Sequence, residues 1–268
     1  MPTIDENLRL WGSQYDWQGR GEEWSAVWGG SRVQWLGSIL PRIRAFLPAG
    51  SALEIGCGYG RWSRQLRPWC RELVLVDLTP VCVEACRELF RGDPAVRAEV
   101  TGGRSLSGVA DGTVDFAFSF DSLVHAELDV LAGYAGELAR TLAPTGVAFL
   151  HHSNFGAVLA AHPGTQNRHW RGESASAEAF AECCRSAGLE CPVQEVVDWG
   201  GVDACDVFSV VTRRGSRWDR DPLRRANPFF MGEAQSLAVR AALYGLPEDG
   251  PGDPEPGERR PGGRGGRG

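Results

Sequence analysis

The apolar positions of this chain fall into two kinds of run. Short, nearly continuous apolar stretches end at residues 55, 76, 119 and 150, and a further, mixed strand is read over 95–100. Burial without alternation is what a parallel strand covered on both faces requires. Between them, apolar residues recur at helical spacing over 79–89, 128–142 and 174–187, with 157–161 as a shorter candidate. Thr79 is placed to cap its helix, with Pro80 in the first turn. Pro144-Thr145-Gly146 ends the helix that precedes the strand over 147–150, and Gly188 ends the helix over 174–187. Two more strands, over 193–199 and 206–212, are joined through Gly200-Gly201. Alternation of strand and helix predicts an α/β fold. Upstream, residues 31–46 carry Val33, Leu36, Ile39, Leu40, Ile43 and Phe46 at helical spacing, with Pro41 expected to kink or restart the helix.

The stretch Leu53-Glu54-Ile55-Gly56-Cys57-Gly58-Tyr59-Gly60-Arg61 organises the rest. It reads as strand end, glycine turn and helix start. Such a turn lets a ligand approach bare backbone where a Cβ would block it. The next strand, 73–76, ends at Asp77, whose carboxylate is placed to accept from two ribose hydroxyls. A dinucleotide fold wants G-x-G-x-x-G with a diphosphate at a helix N-terminus. Here the spacing is G-x-G-x-G, and Glu54 beside the loop disfavours a diphosphate while suiting a cation.

These residues resemble the first motif of the class I S-adenosylmethionine-dependent methyltransferases, and Asp77 stands where that family's ribose acid stands. The resemblance covers about residues 50–214. It implies a Rossmann-like three-layer sandwich, with a seven-stranded, mostly parallel sheet whose final strand is antiparallel. It implies S-adenosyl-L-methionine as cofactor, held by Glu54, Gly56, Cys57, Gly58, Tyr59, Gly60, Asp77 and Leu78. The family often has an acid after the third strand to meet the adenine. This chain has Thr101-Gly102-Gly103-Arg104-Ser105 instead, which leaves backbone, Arg104 or Ser105 for that role. Phe120 and Asp121 open a loop similar to the one that runs beside the cofactor's methionine portion. No metal is expected, because no further carboxylates cluster near Asp121.

Composition narrows the partners. All 28 basic residues are arginine, against 34 acids, giving a net charge of −6 and a pI near 5.5. That balance argues against nucleic acid. No apolar run is long enough to span a membrane, and the first residues do not read as a signal peptide. The eight cysteines include no C-x-x-C pair and suit a reduced, cytoplasmic chain. The expected partner is a small-molecule acceptor, with a homodimer open through the amphipathic segment over 232–244.

Five of the ten tryptophans precede residue 50. They predict an N-terminal helical cap over 1–49 that packs on the sheet and closes over the cofactor, with Trp17, Trp24 and Trp28 against the acceptor. The core is expected over 50–214, a C-terminal helical extension over 215–246 and a disordered tail over 247–268, where proline, glycine and charge leave nothing to bury. His125 and His151-His152 fall in loops over the presumed methyl. Histidine is a fitting base for a hydroxyl near neutral pH. Strand alternation forbids His151 and His152 from facing one way. Asn154, Arg168, His169, Trp170 and Arg171 are candidates for the acceptor pocket. The sum is an enzyme that O-methylates a sugar or aromatic natural product of secondary metabolism, as in antibiotic biosynthesis, with histidine assistance. N-methylation of a small amine and a non-catalytic cofactor-binding protein are the alternatives.

Overall fold

The computed structural model describes residues 2–245; the tail expected over 247–268 lies outside them. One sheet carries eight strands: β1 (Ala49–Ile55), β2 (Cys70–Asp77), β3 (Val96–Val100), β4 (Val114–Ser119), β5 (Leu142–Ser153), β6 (Leu189–Trp199), β7 (Val202–Arg213) and β8 (Leu223–Asn227). Their order is β3-β2-β1-β4-β5-β7-β6-β8. Strands β1 to β5 are mutually parallel, and β7 runs antiparallel to both β5 and β6. The helices are α1 (Ile4–Arg9), α2 (Ser31–Gln34), α3 (Leu40–Ile43), α4 (Ser63–Leu66), α5 (Pro80–Leu89), α6 (Leu128–Thr141), α7 (Phe155–Ala161), α8 (Ala177–Ser186) and α9 (Phe230–Tyr244).

Alternation along the central strands splits the core in two. Phe116, Phe118 and Phe149 face one side, where Trp35, Ile39 and Ile43 of the cap and Val83 and Cys86 of α5 pack. Leu53, Ile55, Ala117 and Leu150 face the other side, against Leu131 and Leu138 of α6 and Phe180 of α8. Both faces are therefore dry, which is why these strands read as unbroken apolar runs.

Several expectations need correction. The sheet has eight strands where seven were expected. Strand β8 lies parallel on β6, in the stretch over 215–246 expected to be a helical extension. Its sequence, Leu-Arg-Arg-Ala-Asn, has no apolar alternation, because it is an exposed edge strand. Backbone pairing holds it, helped by Arg224 to Gln194 (2.9 Å) and Asn227 to Glu195 (2.7 Å). Thr79 does cap α5 by position, but its hydroxyl donates to Asp77 Oδ1 (2.8 Å) rather than accepting from the helix. Pro144-Thr145-Gly146 does not separate helix from strand. Strand β5 begins at Leu142 and absorbs the irregularity as a register shift against β4. Gly146 makes that possible, since a Cβ there would lie 2.5 Å from the Val114 carbonyl.

The stretch over 31–46 is helical but broken. Between α2 and α3 a π-turn spans Trp35–Ile39. Pro41 has no N–H and its ring crowds the carbonyl four residues back, so the turn before it widens.

Helix α9 covers the far end of this layer. Arg42 ties it down with paired bonds to Glu195 (2.8 Å each) and Glu233 (2.9 and 3.0 Å). Its guanidinium also lies over Phe208 and Phe230. Arg42→Ala would leave two partly buried carboxylates facing each other without a cation. We expect a loss of about 2 kcal/mol in urea unfolding, because truncating one partner of a buried pair strands the other charge. An unchanged midpoint would show that α9 does not depend on this contact.

Candidate active site

The order of the sheet reverses between β1 and β4, so the loops leaving their carboxyl ends diverge and open a crevice. The β1 loop forms one wall. Gly56, Gly58 and Gly60 all hold left-handed φ values (+74°, +52° and +82°), which side chains rarely adopt. A Cβ on Gly56 would fall 1.8 Å from Ser122 Oγ of the β4 loop, so the two loops touch through the glycine. Gly60 serves packing instead, since its Cβ would meet Leu89 of α5 at 2.5 Å. At the end of β2, Asp77 Oδ2 accepts from the Gly58 N–H (2.9 Å), and Oδ1 accepts from the Thr79 N–H and hydroxyl (2.8 Å each). Burial raises the Asp77 pKa, with the bonds from Thr79 and Gly58 opposing it.

The N-terminal segment roofs the crevice. Trp17 stacks on Tyr59 at 4.6 Å, and its ring edge is 3.3 Å from where a Gly58 Cβ would stand. Trp11 and Trp24 pack edge-on at 5.8 Å beside it. Asn7 donates to the His125 carbonyl (2.9 Å), which fastens the roof to the β4 loop. The cavity beneath it holds about 570 Å³ and remains open on one side, a volume within the range of small-molecule sites.

A chain of buried charges runs beneath it. Arg61, directly after the glycine loop, donates to Asp121 (2.5 Å) and to Ser25 of the cap (3.0 Å), and its guanidinium lies 5.2 Å from the Trp24 ring centre and 4.4 Å from that of Trp62. Asp121 sits at φ +63°. Its Oδ1 lies 3.3 Å from His151 Nδ1, and its backbone N–H points at the same nitrogen (3.2 Å). His151 Nε2 reaches Asp206 (3.1 Å), and Arg171 grips Asp206 with two bonds (2.9 and 2.7 Å). Burial works against both carboxylates, but the Arg61 charge and the His151 bond keep Asp121 below its ordinary value, and Arg171 with His151 does the same for Asp206. Burial alone would depress His151, yet its bonds to the two aspartates more than offset it and raise its pKa.

The three histidines expected over the methyl are thus separated. His151 and His152 are both fully buried in β5, on opposite faces, and neither lines the cavity. His152 packs on Phe180 and bonds to Ser209 (2.8 Å). His125 is half-buried on the cavity wall. Its Nδ1 lies 2.7 Å from the Trp170 carbonyl. A carbonyl only accepts, so Nδ1 carries the proton and Nε2 keeps its lone pair. Among the described residues Nε2 has no hydrogen-bond partner. Burial and the nearby Arg171 charge, opposed by the Trp170 bond, lower the His125 pKa to about 4, so the ring is neutral at physiological pH.

Of the remaining candidates, Gly56, Cys57, Gly58, Tyr59, Asp77 and Leu78 line the cavity, as do Phe120 and Asp121. So do Trp17, Trp24, Trp28, His169, Trp170 and Arg171. Trp28 is wholly buried at the cavity floor against Trp199 and Phe230. Others lie elsewhere. Glu54 sits behind the loop, bonded to Ser63 (2.6 Å), with its pKa raised to about 8 chiefly by burial. Arg104 points outward to Asp129, and the Ser105 hydroxyl accepts from the Ser107 N–H. Asn154 is structural, bridging the Ala204 carbonyl and the Ala177 N–H (2.8 Å each). Sequence reasoning missed Arg61, Trp11 and Asp206. Only Arg61 carried a signal, as a cation adjoining the glycine loop. Among the described residues no group of three His, Cys, Asp or Glu could hold a metal ion, and no helix is long and apolar enough to cross a membrane.

Residues 52–146 match the family model of a methyltransferase domain. Over that stretch the chain matches a methyltransferase domain, and its glycine loop resembles that of the class I kind. The cofactor of that class is S-adenosylmethionine, and the residues here fit it: a left-handed glycine turn whose Gly56 and Gly58 line the cavity, and beside it a buried carboxylate with an acceptor site to spare. Solved structures share the fold. A Pyrococcus horikoshii OT3 protein superposes with TM-score 0.54 at 19% identity, covering 77% of this chain and 96% of its own. An S-adenosylmethionine-dependent methyltransferase from Mesorhizobium loti gives 0.51 at 17%, covering 68% and 98%. A geranyl diphosphate methyltransferase solved in complex with S-adenosylmethionine gives 0.51 at 16%, covering 62% and 79%. No curated protein matches the sequence.

The raised His151 pKa makes the methyltransferase's stability depend on pH in a stated direction. A raised group stabilises fully below its ordinary value of 6.5 and loses that contribution as pH climbs through the folded value. Urea melts of the wild type and His151→Gln should therefore converge as pH climbs from below 6.5 through the raised folded value. Glu54 is common to both chains and cancels. Parallel pH profiles would contradict the assignment.

Proposed function

We propose that this methyltransferase O-methylates a hydroxyl of a small, largely apolar acceptor, with His125 as the base. The observation that carries the reading is the His125 ring. It lines the cavity with Nδ1 committed to the Trp170 carbonyl and Nε2 free. S-adenosylmethionine, when bound, supplies an electrophilic methyl group on a sulfonium. The chain's own work is to seat the acceptor, hold its oxygen in line and take its proton. Trp11, Trp17, Trp24 and Trp170 offer flat apolar faces for an aromatic or sugar ring. His125 Nε2 accepts a hydrogen bond from the acceptor hydroxyl and so turns an oxygen lone pair toward the methyl. A pKa near 4 does not disqualify it. The oxygen becomes strongly acidic as its new bond forms, so a weak base that is always unprotonated suffices. The aromatic roof, joined to the core by Asn7, Ser25 and Trp17, excludes water during transfer.

The same indole faces would attract a cationic amine. N-methylation is the second reading, and it differs in needing no base once the amine is neutral. Screening hydroxylated aromatics, sugars and amines with methyl-labelled cofactor separates the two. For O-methylation, His125→Gln should lose roughly 10²- to 10⁴-fold in turnover, as removal of a general base typically does, with product-cofactor affinity unchanged. Full activity of His125→Gln on an amine, with no hydroxyl acceptor found, would replace the first reading by the second.

A further inference from the structure

The buried ion pair Arg171–Asp206 is the feature that the proposed reaction leaves unused. It costs desolvation of two charges, and it lies one residue from Trp170, whose carbonyl meets His125. Trp170 holds a left-handed backbone, φ +55°, unfavourable for so large a side chain. Something must hold it there. The Arg171 guanidinium donates twice to Asp206 and once to the His169 carbonyl (3.1 Å), so one rigid fork spans residue 170 from both sides. Asn167 closes the loop by bonding both the N–H and the carbonyl of Arg171 (2.8 Å each). Gly172 donates to the Val124 carbonyl (2.9 Å) and sits so close to the β4 loop that a Cβ would fall 2.0 Å from the Ala126 carbonyl. Asp206 is oriented in turn by His151 Nε2.

We infer that Arg171 and Asp206, with His151 behind them, are positioning residues that press the Trp170 carbonyl against His125 and so fix which ring nitrogen holds the proton. The inference rests on the reading of His125 as base. It gives buried His151 a role without contact to the acceptor. An imidazole free to swap tautomers presents Nε2 as a donor part of the time, and a donor cannot accept the hydroxyl's proton. The pair thus acts on the base through a backbone carbonyl, and Arg171 would not bind the acceptor, although it was a candidate for that.

The test is the histidine-ring ¹⁵N spectrum of the full chain, with the His125 signals assigned by their loss in His125→Gln. The wild type should show the Nδ1-protonated tautomer. Arg171→Lys keeps the charge but not the fork, and should shift the ring toward the Nε2-protonated form. Gly172→Ala should do the same with the ion pair intact. S-adenosylhomocysteine affinity, read by calorimetry, should hold in both and serves as the check on folding. A wild-type ring protonated on Nε2, or an unchanged tautomer in a folded variant, would overturn the inference. If the tautomer shifts as expected but His125→Gln keeps full methyl transfer, the positioning device stands and the base assignment falls.

Discussion

Five side chains from five parts of the chain form one buried line of charge: Arg61, Asp121, His151, Asp206 and Arg171. Two guanidinium groups and two carboxylates balance around one imidazole. None of these ions is tolerable at such depth alone, since a buried charge without its partner costs several kcal/mol. The consequence is geometric. The glycine loop, the β4 loop, the ends of β5 and β7 and the segment over 167–174 must all arrive together, or none of the charges is satisfied. The line also reaches the cap, through Arg61 to Ser25 and Trp24. The glycine-loop wall, the wall over 167–174 and the roof are thereby held to one another.

The sheet explains why this line is where it is. Reversal of strand order between β1 and β4 opens the crevice, and the antiparallel β7 brings Asp206 opposite Ser153, one position beyond the His152–Val207 pair. Alternation along β5 then sorts its two adjacent histidines. His151 turns to the side of Phe120 and Asp121, and His152 to the side of Phe180. A single shift of register would exchange them and break the charge line.

What was legible in the sequence follows from the same physics. The central parallel strands could be read because both faces are buried and most of their residues had to be apolar. The glycine turn after β1 could be read because its left-handed backbone at 56, 58 and 60 calls for glycine at a fixed spacing. Strand β8 could not, since an exposed edge held by its backbone puts little constraint on side chains. Nor could the places of His151, His152 and Asn154, which look like site residues by position and lie buried off the cavity. Glu54 misled in the same way: an acid beside the loop, but facing inward to Ser63. Arg61–Asp121 and Arg171–Asp206 join residues 60 and 35 positions apart, and such pairs become visible only once the strands are ordered.

The central claim is that the crevice between β1 and β4 is an S-adenosylmethionine site gripped by Asp77 and the glycine loop. Its most direct test is calorimetric titration of the full chain with S-adenosylhomocysteine and, separately, with NADH, beside an Asp77→Ala control. The account predicts micromolar-order binding of the first alone, lost in the variant. Binding of NADH, or S-adenosylhomocysteine affinity untouched by Asp77→Ala, would contradict it.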